Sequence, residues 1–270
     1  MTSILFAVAI VSGIGLVAGV GLAIADALMQ EPVDDRVRRL IEALPGYNCG
    51  ACGHAGCAGY ADAMHAGAAP CNLCTPGGDA VAQALAAVMD TQTEAVAPRK
   101  ALVRCNGTRE NRKPGGDAYR GEPTCAAAAL SGGGQKSCAY GCLGFGDCMR
   151  ACPNGAVHME DGVARVDQDK CHGCSLCAKQ CPKGIIAMQE TVGKAINRCC
   201  SQEPGPAARK LCGSACIGCR LCEKNCPEQA IAVENNLAHV DPGKCTGCGL
   251  CISKCPTKSL VISVNEFTPD

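Results

Sequence analysis

The chain has 270 residues with 25 basic and 25 acidic side chains, and this balance gives no reason to expect nucleic acid as a partner. Its 26 cysteines stand beside only three Phe, four Tyr and no Trp, which leaves little material for a large apolar core. Secreted disulfide scaffolds are much shorter than this chain. We therefore expect bound metal to supply much of the folding free energy, and metal removal to leave the chain largely unstructured beyond its N-terminus.

The first segment, residues 1–27, is apolar and carries no charge from Ser3 to Ala25. Because about 20 such residues span a bilayer, the segment predicts a single transmembrane helix. A secretory signal peptide is the alternative, since Ala23 to Ala25 resembles a cleavage site, but the run lacks a basic start and is too long. Three basic residues follow the run closely: Arg36, Arg38 and Arg39. Their position predicts a protein held in the cell membrane with its body on the cytoplasmic side.

A small domain is predicted over residues 32–90. It opens with an amphipathic stretch, Asp34 to Leu44, whose apolar residues have helical spacing. Four cysteines then follow the pattern C-x2-C-x4-C-x16-C: Cys49, Cys52, Cys57 and Cys74. This grouping predicts a fold that holds one 4Fe-4S cluster, with Cys71 as a competing fourth ligand that we treat as the spare. Residues 91–100 are polar with one proline and predict a linker.

Beyond the linker, the pattern C-x2-C-x2-C-x3-C-P occurs three times, preceded by one looser copy. The regular pattern is typical of bacterial ferredoxins, where three cysteines bind one 4Fe-4S cluster and the fourth binds the neighbouring cluster. Zinc ribbons use separated C-x2-C pairs, so zinc is the weaker interpretation. In chain order, the cysteines of the four copies are Cys138, Cys142, Cys148, Cys152; Cys171, Cys174, Cys177, Cys181; Cys216, Cys219, Cys222, Cys226; and Cys245, Cys248, Cys251, Cys255.

The looser copy aligns without a gap on the third copy, with Phe145 in the place of Cys219. Each of these two copies has an extra cysteine upstream, Cys138 or Cys212. The looser copy therefore lacks one ordinary ligand, and we expect Cys138 to replace it. A three-iron cluster is the alternative at this position.

Each aligned copy continues into a predicted β-hairpin. The turns are Asp161-Gly162 within residues 157–166 and Asn235-Asn236 within residues 231–240, and both are hairpin sequences. The internal repeat therefore predicts an α+β fold with two tandem bacterial-type two-cluster ferredoxin modules, residues 101–190 and 191–270.

The ferredoxin cross-over rule assigns five clusters to twenty cysteines. One belongs to the N-terminal domain, and the other four sets are Cys138, Cys142, Cys148 with Cys181; Cys171, Cys174, Cys177 with Cys152; Cys216, Cys219, Cys222 with Cys255; and Cys245, Cys248, Cys251 with Cys226. Six cysteines remain: Cys71, Cys105, Cys125, Cys199, Cys200 and Cys212. Some of them could hold a sixth cluster, and buried free thiols are the alternative.

This order of segments resembles the iron–sulfur B subunits of the Rnf electron-transport complexes, in an extended form with two ferredoxin modules. The most specific part of the resemblance is the N-terminal cysteine motif, which closes with Cys74-Thr-Pro-Gly-Gly78. The resemblance implies that the chain takes electrons from soluble reduced ferredoxin. It would relay them to the membrane and NAD-reducing subunits of an ion-translocating ferredoxin:NAD oxidoreductase.

The sequence contains neither a Gly-rich phosphate loop after a strand nor a nucleophile constellation, so we expect no substrate-converting site in this chain. Two other functions stay open: a polyferredoxin subunit of a different membrane oxidoreductase, and a redox-responsive scaffold or sensor.

Overall fold

The computed structural model describes residues 2–29, 34–96, 98–111, 119–134, 136–190 and 193–263. Four predicted boundaries lie outside these residues. They are the start of the anchor at residue 1, the start of the N-terminal domain at residue 32, the start of the second module at residue 191 and its end at residue 270.

The N-terminal apolar run forms helix α1, Thr2–Met29. Its large apolar side chains from Val8 to Ile24, where the structure describes them, are more than half exposed. The transmembrane anchor predicted over residues 1–27 is not supported, because the described part of the chain contains no helix long and apolar enough to cross a membrane.

Three helices pack into the N-terminal domain: α2 (Asp35–Ala43), α3 (Gly56–His65) and α4 (Gly78–Met89). The Asp34 side chain caps α2 by accepting a hydrogen bond from the Arg36 N–H at 2.7 Å. The domain core contains the buried side chains Val37, Leu40, Leu44, Tyr60, Met64 and Leu85. The helix predicted from the amphipathic stretch is thus confirmed.

The first ferredoxin module pairs its first strand with its last and encloses a hairpin. Strand β1 (Lys100–Val103) pairs antiparallel with β4 (Ile186–Gln189), and β2 (Val157–Glu160) pairs with β3 (Val163–Val166). Because β1 begins at Lys100, the module takes in the last residue of the predicted linker. Asp161 and Gly162 both have positive φ, as a type I′ hairpin turn requires, and the predicted hairpin is confirmed.

The second module repeats this topology. Strand β5 (Ala195–Asn197) pairs with β8 (Leu260–Ile262), and β6 (Ile231–Glu234) pairs with β7 (Leu237–Val240). The turn at Asn235 and Asn236 again has positive φ at both residues, so this hairpin is confirmed as well.

Six short helices complete the two modules: α5 (Cys125–Leu130), α6 (Asp147–Arg150), α7 (Leu176–Gln180), α8 (Gly205–Leu211), α9 (Leu221–Lys224) and α10 (Leu250–Ser253). Four of these helices bury a cysteine at their second residue: Cys148, Cys177, Cys222 and Cys251. The residue before each of the four is left-handed, which turns the chain sharply into the helix. Paired contacts between α6 and α7, and between α9 and α10, bring these cysteines to the centre of each module.

The three folded units are joined by hydrogen bonds. The Tyr47 hydroxyl of the N-terminal domain donates to Asn154 Oδ1 of the first module at 3.0 Å, and Lys179 Nζ of that module donates to the Cys49 carbonyl. Between the two modules, the Gly213 N–H donates to the Asn111 carbonyl at 2.7 Å. The cysteine-bearing parts of the chain therefore form one connected body.

Candidate metal centres

All 26 cysteines are free thiols, so the structure contains no disulfide framework. Among the described residues, no three His, Cys, Asp or Glu side chains converge closely enough to hold a single metal ion. At four places, four or five cysteines line a common pocket instead. Groups of this size fit a polynuclear cluster, in which each thiolate binds a different iron.

The N-terminal domain brings together its four predicted ligands: Cys49, Cys52, Cys57 and Cys74. Burial is the main cause that raises the pKa of Cys74 to about 11, and repulsion from the other three thiols adds to the effect of burial within that value. The spare cysteine, Cys71, has its Sγ 3.8 Å from the Thr91 hydroxyl. The geometry is consistent with Cys74 as the fourth ligand.

Tyr60 braces the loop that carries Cys74. Its fully buried side chain donates a hydrogen bond to the Pro70 carbonyl at 2.7 Å and accepts one from the Leu73 N–H at 3.1 Å. Burial raises the pKa of Tyr60 to about 12, so the hydroxyl keeps its proton at physiological pH. The two hydrogen bonds therefore fix the backbone on one side of Cys74.

In the second module, each predicted set of four cysteines lines one pocket. One pocket of about 310 Å³, partly open to solvent, is lined by Cys216, Cys219, Cys222 and Cys255. Its neighbour, of about 320 Å³, is lined by Cys226, Cys245, Cys248 and Cys251. The crossed arrangement is the one that bacterial ferredoxins use.

In the first module, the regular predicted set also comes together: Cys152, Cys171, Cys174 and Cys177. Burial, followed by repulsion from the thiols of Cys171 and Cys174, raises the pKa of Cys177 to about 12. Binding iron requires these thiols to lose their protons, and the cations then offset the repulsion that raises the pKa.

Backbone amides point at the sulfurs of several predicted ligands. In the first module, the Ala156 N–H donates to Cys152 Sγ at 3.3 Å and the Ala101 N–H to Cys171 Sγ at 3.4 Å. The second module repeats both contacts at Cys226 and Cys245, with the same distances. Such N–H···S bonds favour the thiolate and are one means by which a protein sets a cluster's potential.

The remaining site of the first module has a cysteine that the sequence did not assign to it. Its pocket, of about 370 Å³, is lined by Cys125, Cys142, Cys148 and Cys181. Cys138, the predicted fourth ligand, does not line this pocket. The sequence contained only a weak indication that Cys125 is a ligand, since it was one of six cysteines left without a cluster. It directly follows Thr124, the residue that caps α5.

A further pocket lies where the two modules meet, and it encloses about 510 Å³, part of which is open to solvent. Five cysteines line it: Cys105, Cys138, Cys199, Cys200 and Cys212. Three cationic residues, Arg104, Lys136 and Arg198, line it as well. This is where the structure places Cys138.

Comparisons with known proteins match the cysteine-bearing segments. A family model for an Fe-S cluster matches residues 44–76, and a model described as a 4Fe-4S dicluster domain matches residues 137–185 and 215–259. The first match covers the N-terminal site, and the second covers the four cysteine runs of the two ferredoxin modules, from Cys138 to Cys181 and from Cys216 to Cys255. The chain therefore carries 4Fe-4S clusters.

Three curated relatives each match well over half of this chain. The B subunit of the Na(+)-translocating ferredoxin:NAD(+) oxidoreductase complex of Acetobacterium woodii is 40% identical over 90% of this chain and 73% of its own. Its proton-translocating counterpart of Clostridium ljungdahlii is 40% identical over 89% of this chain and 85% of its own. The B subunit of the ion-translocating oxidoreductase complex of Methanosarcina acetivorans is 37% identical over 64% of this chain and 66% of its own. The chain thus belongs to the family of Rnf-complex B subunits, as an iron–sulfur electron-transfer protein.

Proposed function

We propose that this subunit accepts electrons from a reduced soluble ferredoxin and passes them to the NAD-reducing and membrane subunits of its complex. The observation that carries the proposal is that the cysteine groups follow one another from the second module through the first module into the N-terminal domain. When bound, a 4Fe-4S cluster supplies reversible one-electron transfer at a potential, within roughly −700 to +450 mV, that the protein sets. The names of the relatives support ferredoxin and NAD as the two ends of the pathway.

Five clusters fill the N-terminal domain and the two modules in this proposal. Three sites in the modules have the ligands expected from the sequence. The fourth site is in the N-terminal domain and has Cys49, Cys52, Cys57 and Cys74. The fifth contains Cys142, Cys148 and Cys181, with a fourth ligand that is assigned below.

The N-terminal domain adjoins the first module at their cluster sites. Burial is the main cause that raises the pKa of the Cys174 thiol. The Cys49 thiol lies close enough to Cys174 to contribute to this increase. Lys179 donates to the Cys49 carbonyl and holds the two sites side by side. Electrons can therefore pass between the N-terminal domain and the first module without a further carrier.

The second module offers the entry surface in this proposal. Cys219 and Cys248 are exposed, whereas every other cysteine is at least partly buried. Because these two ligands belong to different sites of the module, both sites reach the protein surface. A soluble donor that docks there comes close to a cluster without any opening of the fold.

At the other end of the chain, we propose that α1 attaches the protein to the cell membrane and its membrane subunits, with the iron–sulfur domains on the cytoplasmic side. Exposed apolar side chains along α1, such as Val11, Leu16 and Leu22, support this attachment, since a contiguous apolar surface is stabilised by removal from water. Deleting residues 2–29 is expected to release the protein from membrane fractions, and retention there would contradict the attachment.

The electron-transfer proposal is tested with the protein prepared without oxygen and mixed with reduced ferredoxin. Low-temperature EPR then measures which clusters are reduced, and dithionite in a parallel sample gives the full set of signals. We expect ferredoxin to produce several 4Fe-4S signals. If dithionite reduces the clusters and ferredoxin does not, ferredoxin is not the donor.

A further inference from the structure

We propose that Cys105, Cys138, Cys199 and Cys212 bind a sixth 4Fe-4S cluster between the two ferredoxin modules, and that Cys125 completes the cluster of Cys142, Cys148 and Cys181. The proposal rests on the proposed electron-transfer function, because the sixth cluster would connect the two modules electrically.

Cys125 is held in place for ligation by buried polar contacts. Asp147 is almost fully buried, and its carboxylate accepts hydrogen bonds from the N–H groups of Cys125 and Ala126 at 2.9 and 3.1 Å. Asp147 also begins α6, the helix that carries Cys148. The Asp147 carboxylate therefore positions both Cys125 and Cys148 at the same pocket. Cys125 supplies the thiol that is missing because Phe145 stands in place of a cysteine.

With Cys125 in that role, Cys138 is available to the pocket between the modules. The pocket combines two pairs of residues that the internal repeat makes equivalent: Cys105 with Cys199, and Cys138 with Cys212. Each module thus contributes one cysteine of each kind. Four thiolates, two from each module, are the number that a 4Fe-4S cluster needs.

The sulfurs of this pocket face a common space. A methyl group built on Gly107 would lie 3.5 Å from Cys105 Sγ and 3.9 Å from Cys212 Sγ, so these two sulfurs from different modules converge beside a residue without a side chain. The Ser214 hydroxyl donates to the Asn106 carbonyl at 2.9 Å and fixes the two loops against each other. Three cations line the pocket and would offset the negative charge of a cluster.

Cys105 receives the same kind of hydrogen bonds as the ligands of the regular sites. The N–H groups of Gly107 and Cys142 both donate to Cys105 Sγ at 3.4 Å. A thiol buried only for packing needs no such donors. The two donors therefore group Cys105 with the ligands of the regular sites, whose sulfurs accept the same contacts.

The same criterion selects Cys199 over Cys200. The Ser201 N–H donates to Cys199 Sγ at 3.4 Å, which matches the contact of Gly107 with Cys105. The backbone of Cys216 also donates to Cys199, as its repeat equivalent Cys142 does to Cys105. Cys200 corresponds to Asn106 in the first module and has no equivalent cysteine, which makes it a matched control.

The position of the pocket gives the sixth cluster a role. On one side, Cys105 contacts Cys142 of the first module. On the other side, Cys199 contacts Cys216 of the second module. A cluster here lies directly between a site of each module, so electrons entering the second module reach the first through it.

The test compares the full-length protein with Cys199→Ala and Cys200→Ala, all prepared without oxygen. Iron and sulfide are measured per chain, and EPR is recorded after full reduction by dithionite. Six clusters give about 24 iron atoms. We expect Cys199→Ala to lose about four of them together with one EPR signal, and Cys200→Ala to keep them all. Cys105→Ala, in the other module, should lose the same signal, which separates ligand loss from collapse of the second module.

Several outcomes would overturn the proposal. About 20 iron atoms in the unaltered protein, or full iron content in Cys199→Ala, would remove the sixth cluster. If Cys200→Ala loses iron and Cys199→Ala does not, Cys200 takes the place of Cys199 in the ligand set. Full iron content in Cys125→Ala would show that another cysteine is the fourth ligand of the cluster with Cys142, Cys148 and Cys181. Reduction by ferredoxin, measured on the same samples, tests the proposed function separately, since five clusters could still be reduced by ferredoxin.

Discussion

The hydroxyl of Tyr60 is expected to control how tightly the N-terminal cluster is held. Tyr60→Phe keeps the aromatic ring in the core of the domain and removes two hydrogen bonds, to the Pro70 carbonyl and from the Leu73 N–H. Both contacts act on the loop that ends at Cys74. Losing them favours an open loop in which Cys74 leaves the other ligands.

The size of the effect follows from the number of bonds lost. A typical protein hydrogen bond contributes about 1 kcal/mol net, so the two together contribute about 2 kcal/mol. Since 1.4 kcal/mol is a factor of ten, the open form should become about 30-fold more populated. Iron that leaves through this open form should leave faster by a similar factor.

A chelator challenge measures this rate. Excess ferrous chelator is added to protein prepared without oxygen, and the release of iron is followed by absorbance. In Tyr60→Phe we expect about four iron atoms per chain, one cluster, to leave about 30-fold faster, while the remaining release is unchanged. Tyr119→Phe is the control, because it removes a hydroxyl from a ring that packs on Phe145 in the first module.

Two results would refute this reasoning. If Tyr60→Phe releases iron at the rate of the unaltered protein, the hydroxyl does not restrain the Cys74 loop. If all clusters are released faster together, the N-terminal domain does not open independently of the modules.

Three further predictions concern the same N-terminal site and its neighbours. Cys74→Ala should remove about four iron atoms and leave the ferredoxin signals, whereas Cys71→Ala should keep the full iron content; equal losses in iron analysis would show that the two cysteines are not distinguished. Lys179→Met and Tyr47→Phe together should loosen the N-terminal domain from the first module and speed proteolysis within residues 91–96, and unchanged cleavage would contradict a role for these contacts. Iron chelation should abolish most near- and far-UV circular dichroism of the two modules, and a native spectrum without iron would show that their apolar cores suffice.

The hairpins of the two modules and the regular cysteine runs were predictable because their information is local, whereas the transmembrane helix predicted over residues 1–27 is not supported in the described part of the chain. A cysteine run such as Cys171 to Cys181 specifies its turn and helix by spacing alone, and Asp161-Gly162 specifies a hairpin by the left-handed backbone of its two residues. The crossed assignment of the fourth cysteine followed from a general rule for this fold. The amphipathic pattern of α2 was sufficient for the same reason.

The placement of Cys125 and Cys138 was not predictable in this way. Cys125 reaches its pocket because Asp147, far along the chain, binds the start of α5. Cys138 faces a pocket whose other wall comes from the second module, and no spacing within one repeat shows how the two repeats dock. Cys138 was expected as the substitute ligand because it is the extra upstream cysteine of the copy in which Phe145 replaces a cysteine, but docking of the modules brings it together with Cys212.

The pocket between the modules also has a consequence for how the protein is made. A ribosome delivers Cys105 and Cys138 well before Cys199 and Cys212, so the pocket is half complete until the second module has emerged and folded. During that interval the first pair of thiols lacks the cover that the later module provides. The pocket can therefore be completed only after the chain has been synthesised beyond Cys212, and a product truncated before Cys199 would keep Cys105 and Cys138 without that cover.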